Sequence, residues 1–66
     1  MTGAAEHDLP RGLGAPATRA LVAAGYTRLD QLDGVPAQRI EALHGVGPKA
    51  VRTLRDALEA RGWHLT

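Results

Sequence analysis

The sequence predicts an all-α fold, a compact bundle of four to five short helices arranged as two helical hairpins. Three observations predict it. Apolar residues recur at helical spacing over 17–24 and 50–58, one face of a helix in each case. No stretch alternates apolar and polar residues as a half-buried strand would. Eight glycines and four prolines break the 66 residues into short pieces, so no helix has room to be long.

A chain of this length makes one small domain and buries only ~60% of its unfolded surface. It has no cysteine, which removes disulfides and thiolate metal sites and suits a reducing, cytoplasmic setting. No apolar run is long enough to span a membrane, and the N-terminus lacks the basic-then-apolar pattern of an export signal. Serine is absent, so one common nucleophile is missing. The formal net charge is only +1, whereas strong non-specific nucleic-acid binders are more basic. Any nucleic-acid role must rest on local charge.

Residues 1–8 read as a frayed tail and 9–66 as the folded domain. Pro10, Gly12, Gly14 and Pro16 punctuate a loop anchored by Leu13. A helix is expected from Ala15 or Pro16 to Ala24, with Ala17, Ala20, Leu21 and Ala24 on its inner face and Gly25 as its stop. Thr27 can cap a brief helix through Leu32, with Asp30 as its box partner and Leu29 and Leu32 facing inward. Pro36–Leu43 reads as a third helix carrying Ile40 and Leu43. The last helix is expected from Pro48 to about Ala60. Ala50, Val51, Leu54, Ala57 and Leu58 make its buried stripe, and Lys49, Arg52, Asp56 and Glu59 its wet side. Arg52–Asp56 and Arg55–Glu59 stand four apart and can pair, each worth about 0.3–0.5 kcal/mol. Gly62 stops this helix, and Trp63 and Leu65 can fold back over the core.

The stretch Leu43–Val51 joins the last two helices. Gly45-Val46-Gly47 predicts a tight turn open to few residue types, and Pro48 suits the first helical position. Free N–H groups of Gly45, Gly47, Lys49 and Ala50 would then point outward together, which suits a phosphate. From His44 to Arg55 there are three positive residues, Lys49, Arg52 and Arg55, and no acid.

At Gly45–Ala50 the chain resembles the helix-hairpin-helix family of DNA-binding modules: Gly-apolar-Gly, one further residue, Lys, then a small residue. From Leu13 to Leu65 the order of elements is similar to the C-terminal domain of the bacterial RNA polymerase alpha subunit. The resemblance implies a tandem helix-hairpin-helix (SAM-like) fold in a free-standing relative of that domain. It also implies that Gly47 and Lys49 touch phosphate, with Ala50 in place of a small hydroxyl residue. The arginine that opens the first helix of that domain is replaced by Pro16, an asparagine by Arg19 and a lysine by Val22. In related modules a monovalent cation sits on hairpin carbonyls, which by position are those of Glu41, Leu43 and Val46.

Two functions follow. One is a DNA-binding module that grips the backbone through Gly45, Val46, Gly47, Lys49, Ala50 and Arg52, with Arg19 extending the basic surface and with little sequence preference. The other is a protein-interaction adaptor of transcription or repair machinery, in which Val46 merely plugs the core and an exposed apolar patch around Val22 or Trp63 holds the partner. Some DNA glycosylases carry a similar hairpin with a nucleophilic lysine at the position of Lys49. They also need an aspartate beyond the hairpin and a second domain, so no enzymatic activity is expected. Scattered His7, His44 and His64 do not suggest a zinc site, and no cofactor is expected.

Overall fold

The computed structural model describes residues 8–66. All regular structure within it is helical. A one-turn 3-10 segment (Arg11–Leu13) leads through Gly14 into α1 (Ala15–Ala23). A second 3-10 segment (Leu29–Leu32) precedes α2 (Ala37–Glu41), and α3 (Pro48–Glu59) is the longest element. The described residues thus hold three α-helices and two 3-10 turns. No described helix is long and apolar enough to cross a membrane.

The differences from the sequence expectation have local causes. The segment expected as a helix from Thr27 is only a 3-10 turn beginning at Leu29. Its cap is Gln31, whose Oε1 accepts the N–H groups of Thr27 and Arg28 at 2.7 and 2.9 Å. Asp30, the expected box partner, instead meets Arg28 at 3.3 Å. The Pro36–Leu43 helix shortens to five residues because the chain turns into the hairpin at Ala42. Arg11–Leu13, read as loop, coils against α3.

α1 and α3 form because alanine and leucine dominate their inner faces, and both carry proline in the first turn. Both end at a glycine with positive φ, Gly25 and Gly62, and a closing bond follows each. Tyr26 N–H donates to the Leu21 carbonyl at 2.8 Å and Trp63 N–H to that of Leu58 at 2.9 Å. The core lies between the helices: Leu9, Leu13, Ala17, Leu21, Leu29, Leu32, Ile40, Val46, Ala50, Val51, Leu54 and Leu58. Ala20, Tyr26, Leu43, Ala57, Trp63 and Leu65 pack around it, half-buried. Ala24, expected to face inward, is exposed beyond the end of α1. No polar or charged side chain among the described residues is buried.

Asp8, placed with the tail by the sequence, is anchored. Its N–H donates to the Thr27 carbonyl at 3.0 Å, and its Oδ1 accepts the Leu29 N–H at 2.8 Å. The rest of the expected tail lies outside the described residues. The two i,i+4 pairs expected on α3 do not form. The ion pairs among the described residues are Arg28–Asp30 and Arg61–Asp8, the latter at 3.9 Å.

Candidate functional site

The hairpin between α2 and α3 is built from backbone geometry. Ala42 closes α2, Leu43 N–H donates to the Ile40 carbonyl, and Val46 N–H to the Leu43 carbonyl, both at 3.1 Å. Val46 then turns inward and is buried, as the turn's core plug. The two glycines have different roles. Gly45 has φ +100°, and a Cβ there would stand 3.0 Å from the Pro16 carbonyl oxygen. Glycine is needed twice over, for its torsion and for the close approach of α1. Gly47 has φ −101° and ψ −179°, an extended conformation open to any residue. A Cβ at Gly47 would meet nothing within 4 Å. The expectation that both glycines serve the turn therefore holds only for Gly45.

Gly47 is the N-cap of α3, and no side chain caps that helix. The first rung of its ladder is the Val51 N–H, which donates to the Gly47 carbonyl at 3.1 Å. The N–H groups of Gly45, Gly47, Lys49 and Ala50 donate to no acceptor among the described residues. No acidic residue sits in the first turn of α3. The helix dipole adds a positive potential there, worth about 0.3–1 kcal/mol to an anion.

The predicted side chains gather around this turn. Lys49 and Arg52 are exposed on α3, and neither side chain makes an ion pair or hydrogen bond among the described residues. Arg19 comes to the hairpin from α1. With Pro16, Ala20, His44 and Gly45 it lines a shallow depression of about 380 Å³. A second depression of about 320 Å³ is lined by Glu41, Val46, Gly47 and Pro48. Arg19 and His44 share one of them, both exposed and both without an ion pair or hydrogen bond to their side chains. Ala50 contributes only its backbone, since its side chain is buried. The role of Pro16, whose carbonyl fixes the spacing to Gly45, carries no sequence signal because it is a main-chain contact.

Of the three carbonyls implied for a monovalent cation, that of Leu43 already accepts the Val46 N–H, whereas those of Glu41 and Val46 accept none. No group of three or more His, Asp or Glu side chains among the described residues is placed to hold a metal ion. His7 lies outside the described residues. Comparison of the chain with protein-family models, with curated proteins and with solved structures finds no match.

Proposed function

We propose that this chain is a small DNA-binding module of tandem helix-hairpin-helix (SAM-like) type that clasps the phosphate backbone. The observation that carries the reading is the set of four hairpin amides, Gly45, Gly47, Lys49 and Ala50, left without a protein acceptor beside the unpaired ammonium of Lys49. Unbonded N–H groups at the start of a helix suit a phosphate. Gly47 supports the same reading from a different side. Neither its torsions nor its surroundings within the chain call for glycine, and the open space above it lets a partner's backbone approach. Lys49 supplies the full charge, Arg52 a second one along α3, and Arg19 a third across the hairpin.

Such contacts fix position without reading bases, so binding has little sequence preference. Two or three neutralised phosphates per module give a salt slope of roughly −2 to −3 on logarithmic axes. The direct test is an NMR titration with a short duplex at low salt. Shifts clustered at Gly45–Arg52 with a second group at Arg19, lost in Lys49→Glu, support the reading. Duplex binding that survives Lys49→Glu moves the site elsewhere. No shifts at all favour the adaptor reading, with Val22 as the anchor. At 39% exposure it is the one large hydrophobic side chain exposed among the described residues. A single valine is far short of the several hundred Å² that mark an apolar docking patch, so the backbone clasp is preferred.

A further inference from the structure

The segment after α3 returns across the molecule and runs beside residues 33–37. Five hydrogen bonds tie the two together. Gly34 N–H donates to the His64 carbonyl at 2.7 Å, Thr66 N–H to the Val35 carbonyl at 2.9 Å, and Ala37 N–H to the Thr66 carbonyl at 3.4 Å. His64 N–H donates to Asp33 Oδ1 at 3.0 Å, and Thr66 Oγ1 to the Gly34 carbonyl at 3.2 Å. Trp63 and Leu65 lie half-buried against the core, and the Arg61 guanidinium stands 5.9 Å from the centre of the Trp63 ring.

This clasp holds the start of α2, and α2 is the element that delivers the hairpin. α2 has only five residues and one fully buried side chain, Ile40. A helix that short has no stability of its own, so its ends set its orientation. At its N-terminus Pro36 makes no side-chain cap, and the first turn carries no acid. The Ala37 amide is bonded instead to Thr66. From there bonds continue through α2 into the turn, passing over the unbonded amides of His44 and Gly45: Ala42 N–H to Gln38, Leu43 N–H to Ile40, Val46 N–H to Leu43. Gly45 itself passes close to α1, near enough that a Cβ on it would stand 3.0 Å from the Pro16 carbonyl oxygen.

We propose that residues 63–66 are a brace that positions the hairpin through α2, so that loosening the clasp loosens the phosphate grip. The effect on DNA rests on the function proposed above; the effect on the hairpin does not. Two variants of the 66-residue chain test it. Asp33→Ala removes the acceptor for His64 N–H, and Thr66→Pro removes both the N–H and the hydroxyl that Thr66 donates. Amide hydrogen exchange is read at Leu43 and Val46 in the hairpin, and at Leu54 and Leu58 in α3. The expected result is exchange at Leu43 and Val46 faster by roughly threefold or more, with Leu54 and Leu58 unchanged, because local opening precedes global unfolding. Duplex affinity measured alongside should fall by a similar factor. Faster exchange at Ala37 with Leu43 and Val46 unchanged overturns the proposal. So does equal acceleration at all sites, which makes the clasp only a part of global stability. If the parent chain binds no duplex, the function proposed above fails while the exchange measurement still decides this one.

Discussion

The hairpin and the C-terminal clasp treat their polar groups in opposite ways. At the clasp, Asp33, Gly34, Val35, Ala37, His64 and Thr66 are bonded to one another, and the nearby Arg61 is paired with Asp8. At the hairpin four amides and the cations Lys49, Arg52 and Arg19 have no partner within the described chain. Both regions are short and irregular. What separates them is where their hydrogen bonds go. A folded chain satisfies its main-chain donors or leaves them to solvent or to another molecule. The clasp turns most of its donors back onto the chain, and the hairpin leaves four of its amides without a partner among the described residues.

The comparison can be broken at several points, and the largest effect is expected at Gly45. Gly45→Ala combines a positive φ with a 3.0 Å approach to the Pro16 carbonyl. It should cost about 2–3 kcal/mol in urea unfolding. A variant as stable as the parent would mean the hairpin can shift away from α1. Next is charge reversal at Lys49. Lys49→Glu should lower duplex affinity by about tenfold or more at low salt, with stability changed by less than about 0.5 kcal/mol. If stability falls as far as affinity, the loss reports folding rather than contact. Asp8→Ala removes the acceptor that holds the Leu29 amide. A loss of about 1 kcal/mol in unfolding free energy is expected, as for a helix cap. The Arg61 pair, exposed on both sides, adds little to that. The smallest effect on stability belongs to Gly47→Ala, within about 0.5 kcal/mol of the parent. On the proposed function that substitution should still weaken duplex binding in the same titration, since its methyl group would stand in the open space beside the hairpin amides. Unchanged binding in Gly47→Ala would leave that glycine unexplained.

The parts that sequence patterning reached are those governed by periodicity. Ala17 and Leu21 on α1, and Ala50, Val51, Leu54 and Leu58 on α3, are buried where 3.6-residue spacing placed them. Pro48 opens α3 as its fixed torsion suits, and Val46 is buried in the turn. What escaped has no period. The choice of Gln31 over Asp30 follows from a one-residue shift: the N-cap is Arg28 rather than Thr27, which puts Gln31 three residues on. Asp8 is joined to Leu29 and Arg61 across long stretches of chain, and nothing near Asp8 announces it. The clasp is mostly main-chain bonding between segments 30 residues apart, which leaves no mark on side-chain pattern. At the hairpin the turn was readable from Gly45, Val46 and Pro48 as residue types. The division of labour between the two glycines was not, because identical residues hid one strained torsion and one ordinary one.

Trp63 is the single tryptophan of the chain, and it belongs to the clasp rather than to the hairpin. Its emission is therefore a built-in optical signal for one end of the molecule. The nearby Arg61 guanidinium makes the indole sensitive to small rearrangements of that end. A ligand that settles on the hairpin without disturbing α2 leaves the spectrum as it was. A ligand whose arrival is felt through α2 shifts it, with no label attached and no residue replaced.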